Sequence, residues 1–210
     1  MGIHESADDQ TVYSAHLFFY TFKIILSAII ISFIVTRITK QTFLPTHDRL
    51  FVQKILKTII YILLTCIFPD ILIQMNFIKF SIVPEHIPSK ISLYMISFDA
   101  VYALVHFSQH KWFIWSHKEH HDTTLYPGYA FVFSPIDSLC IQLCIYSPFY
   151  FGLHFTQQTW GLTMFLIIFT GLMGHTERGW INVHRNHHRK PHEGRYSFTG
   201  IPEHVLSLLK

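Results

Sequence analysis

The stretch Asp99–His121, DAVYALVHFSQHKWFIWSHKEHH, is the most informative part of the chain because it carries five histidines in a helical pattern. On an α-helix that turns about 100° per residue, the five side chains fall within an arc of about 100°, and Asp99 falls on the same face. The five are His106, His110, His117, His120 and His121. A stripe of imidazoles at the end of an apolar helix makes a poor hydrophobic core, since buried polar groups need partners, and a good metal site.

A second histidine cluster lies later in the chain and repeats the HxxHH spacing of the first. It comprises His175 in GHTERGW, followed by His184, His187 and His188 in VHRNHHRK. The two clusters together supply nine candidate ligands, which is enough for two ions with about four or five nitrogen ligands each. On an unbroken helix His175 and His184 would point in opposite directions. We therefore expect the chain to bend between them, near Gly179.

Composition indicates a membrane protein. Half of the residues are hydrophobic, 20 are phenylalanine and only 14% are charged, which is too apolar for an ordinary soluble domain. The net charge of +3 is too small to indicate a nucleic-acid partner, so we expect none. The three cysteines lie in apolar stretches and do not indicate a disulfide framework.

Apolar runs in the sequence predict membrane helices. Three of them are Leu17–Val35, Thr58–Met75 and Ile91–Val105. Two shorter runs, Leu139–Phe155 and Trp160–Gly174, are expected either to cross the bilayer or to form a hairpin that enters it partway. The predicted fold class is all-α: an integral membrane helical bundle of about four to five membrane helices or half-helices. We expect this bundle to be capped by a cytosolic, histidine-rich helical site for two metals.

We expect a single domain over residues 1–210, with three parts. These are a polar N-terminal tail at 1–16, the membrane helices at 17–98 and the histidine-box catalytic region at 99–210. The basic connection at 37–57 is predicted to be cytoplasmic, because loops rich in lysine and arginine stay inside. Following the chain from there places all the histidines on the cytosolic face. The predicted location is the endoplasmic reticulum of a eukaryotic cell or the inner membrane of a bacterium.

The segments HFSQH, HKEHH, GHTE and HRNHH resemble the histidine boxes of the fatty acid hydroxylase/sterol desaturase superfamily of integral membrane di-iron oxygenases. The resemblance implies two iron ions, O₂ as the oxidant, and electrons from NAD(P)H through a reductase and cytochrome b5 or a similar carrier. It also implies a lipid or sterol substrate from the bilayer, which is hydroxylated or desaturated; the short chain and compact boxes favour hydroxylation. The implied iron ligands are His106, His110, His117, His120, His121, His175, His184, His187 and His188.

Two acidic residues are candidates for orienting the histidines. Asp99 and Glu177 are expected to accept hydrogen bonds from imidazole N–H groups rather than to bind metal directly. For Asp99 the alternative is a polar residue that packs between helices in the membrane.

Aromatic residues near the first cluster are candidates for lining a cavity for an apolar substrate. They are Trp112, Trp115, Tyr126, Tyr129, Phe131 and Phe133. The alternative interpretation is that these side chains form an aromatic belt at the membrane interface.

A metal transporter, or another histidine-rich membrane protein that binds metal, is the competing functional class, since ionisable side chains on membrane helices also mark ion pathways. A transporter is expected to place its ligands near the middle of the membrane. The histidines here lie at helix ends and in polar segments, which favours the enzyme.

Overall fold

The chain is all-helical over the residues that the computed structural model describes, which are 7–45, 48–75, 77–78, 80–81, 86–122, 126–176, 182–190 and 196–199. Helix α1 is Ala7–Ile38, α2 is Phe51–Gln74, α3 is Ile87–Trp112, α4 is Ile114–His121, α5 is Pro135–Tyr150, α6 is Gln157–Gly174 and α7 is Asn182–Arg189. A short 3₁₀ turn lies at Pro127–Tyr129 between α4 and α5. The predicted all-α fold class is confirmed.

Within the part of the chain that the structure describes, three helices are long and apolar enough to cross a membrane. They are Leu17–Ile38 in α1, Phe51–Ile73 in α2 and Ile87–Trp112, with mean hydropathies of 2.2, 2.0 and 1.4. Their outward faces carry exposed large apolar side chains such as Phe19, Ile60 and Leu104. These helices correspond to the three long runs in the sequence and indicate a membrane protein.

Helices α5 and α6 are shorter. Their 16 and 18 residues correspond to lengths of about 24 and 27 Å at 1.5 Å per residue. A hydrocarbon core is about 30 Å thick. Whether this pair crosses the bilayer or enters it partway stays a prediction.

All three long helices begin earlier than the apolar runs suggested, and α1 begins at Ala7 rather than Leu17. Helix α2 begins at Phe51 rather than Thr58, and it includes Lys54 and Lys57, because lysine is a good helix former whose charge can pair at a helix surface. Helix α3 begins at Ile87 rather than Ile91 with a proline in its first turn, where the missing N–H removes no helical hydrogen bond.

The histidine-bearing stretch is two helices rather than one. Phe113, with φ −131° and ψ 37°, separates α3 from α4, although its N–H still bonds to the carbonyl of Gln109 at 3.1 Å. Each histidine pair keeps its local spacing on either side of this break.

Helix packing fixes where these histidines lie. Helix α1 packs most extensively against α6, and α3 packs most extensively against α5. Helices α5 and α6 begin at side-chain caps, in which Ser134 accepts from the N–H of Asp137 and Thr156 from that of Thr159. The bundle core is strongly aromatic, with Tyr94, Phe155 and Trp160 fully buried.

Candidate metal centre

The nine predicted histidines come together at one place in the fold and form two groups. The five-histidine group consists of His106, His110, His117, His121 and His187. The four-histidine group consists of His120, His175, His184 and His188. Within each group the candidate ligand atoms lie within 4.8 Å of one another. Imidazoles that are distant in the sequence therefore converge, as the sequence predicted.

Each HxxHH box contributes to both groups. In α4, His117 and His121 belong to the five-histidine group and His120 to the other. Helix α7 does the reverse, since His184 and His188 belong to the four-histidine group and His187 to the other. Residues four apart share a helix face, whereas an adjacent residue points about 100° away. Adjacent histidines therefore serve different groups.

The spacing of the ring nitrogens within each group fits several nitrogens that bind one metal ion. In the five-histidine group the Nε2 atoms of His110, His121 and His187 lie 2.9–3.2 Å apart. In the four-histidine group the Nε2 atoms of His120, His184 and His188 lie 3.0–3.2 Å apart. Two imidazole nitrogens that bind one ion at right angles, each about 2.0–2.1 Å away, are about 3 Å apart. The donor set thus has the dimensions of two metal sites.

Among the nine histidines of the centre, three are anchored through Nδ1 to described residues. His106 Nδ1 bonds to the carbonyl oxygen of Tyr196 at 2.9 Å, and His175 Nδ1 bonds to that of Gly171 at 2.8 Å. His117 Nδ1 bonds to Oδ2 of Asp137 at 2.9 Å. The Nε2 atom of each of these rings is buried and has no hydrogen-bond partner among the described residues. A ring held at Nδ1 with a bare Nε2 is the usual arrangement of a metal-binding histidine.

Five histidines of the two groups are held in the neutral form. Burial, with neighbouring imidazoles adding, lowers the pKa values of His120, His184 and His188 well below the ordinary value. The same causes lower the pKa of His121 to about 2. Burial lowers the pKa of His175 to about 4. Neutral imidazole is the form that binds metal.

Asp99 reaches the centre through a backbone segment. Its buried carboxylate accepts hydrogen bonds from the N–H groups of Phe198 at 2.6 Å and Thr199 at 3.3 Å, and from the Thr199 hydroxyl. The same segment, Tyr196–Thr199, provides the carbonyl that anchors His106. The orienting role of Asp99 stays a prediction, and Glu177 lies outside the described residues.

Asp137 is a contact of the centre that the sequence reasoning missed. Its carboxylate accepts from His117 and, at 3.0 Å, from Nε2 of Gln109. The available signal was a polar residue on each of two apolar helices, together with the Ser134-Pro135 cap that starts α5. The carbonyl anchors from Tyr196 and Gly171 are backbone groups, so no side-chain type could reveal them.

The aromatic candidates for a substrate cavity divide into two sets. Trp112 and Trp115 lie on the outer surface, 60% and 64% exposed. Phe131 is buried and stacks on Tyr61 at 5.2 Å, and Tyr126 is half-buried beside Tyr129. The assignment of Trp112, Trp115, Tyr126 and Phe131 to a cavity stays a prediction.

Fold and site together define a helical membrane protein with two adjacent histidine groups that can each hold a metal ion. Residues 91–206, more than half of the chain, match the fatty acid hydroxylase family. The chain therefore belongs to this family, which is part of the superfamily that the histidine boxes resemble. The family supports an oxidoreductase function of the lipid hydroxylase or desaturase type. None of the curated proteins or solved structures compared with the chain matches it.

Proposed function

We propose that the protein is a di-iron oxygenase that hydroxylates, or desaturates, a C–H bond of a membrane lipid or sterol. It would use O₂ and electrons delivered by cytochrome b5 or an NAD(P)H-dependent reductase. One observation carries the proposal. Nine histidines from distant boxes form two adjacent groups, and the ring nitrogens within each group are close enough to bind one ion.

Two bound iron ions would supply the power to activate O₂ against an unactivated C–H bond. The five-histidine group and the four-histidine group would each hold one ion. The chain's own contribution is to hold these nitrogens fixed and away from water, since His106, His117, His120 and His187 are each only 1% exposed. Excluding water confines the oxidising chemistry to the bound substrate.

The surroundings of the centre suit an apolar substrate. The Phe133 ring lies 4.8 Å from that of His120, and the Tyr102 ring lies 5.1 Å from that of His106. Phe198 packs in turn against Tyr102 at 5.3 Å. A lipid carbon on this side of the histidines would therefore meet aromatic side chains.

The proposed orientation places the histidines on the cytosolic side of the endoplasmic reticulum or of a bacterial inner membrane. Lys57, near the start of α2, forms an ion pair with Glu119 of α4. Gly128, in the turn after α4, donates its N–H to the carbonyl of Phe43, at 2.9 Å, in the connection before α2. Both contacts join the basic connection to the histidine end of the bundle, which supports a common side for the two.

Metal analysis and lipid oxidation test this proposal. The protein, purified from membranes, is expected to contain about two irons per chain and to oxidise a lipid only with O₂ and reductant. His120→Ala and His187→Ala remove one ligand from each group, and each should abolish oxidation while the protein still inserts. His154→Ala is the matched control, because His154 is exposed in the connection between α5 and α6.

Two results would contradict the proposal. Full oxidation by His120→Ala or His187→Ala would remove these residues from the ligand set. Transport of Zn²⁺ across vesicles by a protein that oxidises no lipid would identify a metal transporter instead.

A further inference from the structure

His117 of the five-histidine group is anchored by a carboxylate. Its Nδ1 lies 2.9 Å from Oδ2 of Asp137, and the two side chains are 1% and 0% exposed. His106 and His175 donate instead to neutral backbone carbonyls. Because an ionised carboxylate has no proton to give, the proton of this contact belongs to Nδ1 of His117. The lone pair of Nε2 is then directed to the metal position.

The Asp137 carboxylate is itself held from two helices, and the Asp137 backbone is fixed at the start of a third. Gln109 of α3 donates to its Oδ1 at 3.0 Å, while His117 of α4 occupies its Oδ2. At the start of α5, the Ser134 hydroxyl accepts from the Asp137 N–H at 3.1 Å and donates to the carbonyl of Ser116 at 2.5 Å. Carboxylate and imidazole are therefore fixed relative to each other.

The charge of Asp137 also needs a counterpart. A buried carboxylate without a cation nearby is costly, because it has lost the solvation of water. A cation bound at Nε2 of His117 would balance it through the ring, and a carboxylate partner makes an imidazole a stronger ligand.

We propose that Asp137 is a positioning residue for the five-histidine group: its charge fixes the tautomer of His117 and strengthens the bond of His117 to the metal, and Gln109 holds the carboxylate in place. This inference rests on the proposed function in that the histidines must bind metal ions. The competing explanation is structural, since an aspartate in the first turn of α5 also stabilises the helix start.

Titration of the metal-free protein with Co²⁺ in detergent separates the two explanations. The wild type is expected to bind two equivalents of Co²⁺. The binding of each is monitored by the Co²⁺ absorption spectrum and by competition with a chromophoric chelator. Asp137→Asn preserves size and can keep both hydrogen bonds after amide rotation, so it removes mainly the charge. We expect about a 10–100-fold loss of affinity for one equivalent and no change in the other.

Two variants serve as controls for this titration. Asp48→Asn makes the same chemical change at a carboxylate paired with Lys54, and it should leave both affinities unchanged. Ser134→Ala removes the helix cap and keeps the carboxylate, so it should lower thermal stability and cost less metal affinity than Asp137→Asn. Loss of affinity in Ser134→Ala equal to that in Asp137→Asn would overturn the proposal.

A double variant tests whether Asp137 acts through His117. In a His117→Ala background, Asp137→Asn should lower the affinity no further, because the ring that transmits its charge is gone. A further loss there, or wild-type affinity in Asp137→Asn itself, would overturn the proposal. If Asp137→Asn does not fold, Gln109→Leu gives the test, with a smaller loss expected in one equivalent and wild-type affinity as the contrary result. A wild type that binds no Co²⁺ would overturn both this inference and the proposed function.

Discussion

Asp99 ties the Tyr196–Thr199 segment to the middle of a long apolar helix. Its carboxylate receives two backbone N–H groups and one hydroxyl from Phe198 and Thr199. Within the same segment, the Phe198 ring packs against Phe98 and Tyr102. The residue therefore holds in place the backbone carbonyl to which His106 donates a hydrogen bond.

Asp99→Ala is expected to lower the free energy of unfolding by about 2–5 kcal/mol, because a buried N–H left without an acceptor costs about 1–3 kcal/mol. Thr199→Val removes only the hydroxyl bond and should cost about 1 kcal/mol. Thermal unfolding in detergent measures both. Ser108→Ala on the exposed side of the same helix is the control and should change stability by less than about 0.5 kcal/mol. Equal stability of Asp99→Ala and Ser108→Ala would contradict this role.

The convergence of the nine histidines could be predicted from their boxes, because HxxxH and HxxHH spacings keep the side chains on one side of a helix. Their division between two groups could not be predicted from the sequence, since it depends on how α4 and α7 face each other. The contact of Asp137 with His117 could not be predicted for a related reason, because Asp137 lies on a helix whose neighbours are set by packing. The backbone anchors of His106 and His175 depend on the path of the chain alone.

Close contact between α1 and α6 depends on a glycine. A Cβ atom at Gly161 would lie 2.3 Å from the Tyr20 hydroxyl and 2.7 Å from Cδ1 of Ile24. The Tyr20 side chain would have to move, and its hydrogen bond to the carbonyl of Gln157 would be disturbed. Helix α6 leads directly to His175, so its position affects the four-histidine group.

Gly161→Ala is therefore expected to destabilise the protein by about 1–3 kcal/mol, as overpacked cores usually do. Gly171→Ala on the same helix is the matched control, because its Cβ would meet Phe198 at an ordinary 3.5 Å. Thermal unfolding of the two variants, monitored by size-exclusion chromatography after heating, compares their stability. A Gly161→Ala protein as stable as Gly171→Ala would show that the interface can adjust.

Helix positions were more predictable than helix ends. The apolar runs located all the long helices, but α2 extends to Phe51 through lysines that composition assigned to a connection. Lys54 pairs with Asp48, just before the helix, and Lys57 pairs with Glu119 of α4. The second pair is a tertiary contact, and local hydropathy contains neither.

Acid is expected to destabilise the metal-free protein as a whole. The pKa of His175 is about 4 in the folded protein, whereas an unfolded histidine titrates near 6.5. The unfolded chain therefore binds more protons between these values, so stability falls as the pH drops from about 6.5 toward 4. The lowered pKa values of His120, His121, His184 and His188 act in the same direction.

Thermal unfolding of the metal-free protein at pH 8, 7, 6 and 5 measures this dependence. We expect a nearly constant midpoint above about pH 7 and a progressive decrease below it. Bound metal should delay the decrease, because the ions compete with protons for the same nitrogens. A midpoint that is unchanged between pH 7 and pH 5 would contradict the neutral, buried state of these histidines.

The doublets His120–His121 and His187–His188 each divide between the two histidine groups, with one peptide bond separating the members. A single-residue insertion or deletion before either doublet would rotate both of its side chains by about 100°. Such a shift of helical register would misdirect one ligand nitrogen in each of the two histidine groups at the same time. The two halves of the centre are thus built on a common register, and length errors in these boxes should disable them together rather than one by one.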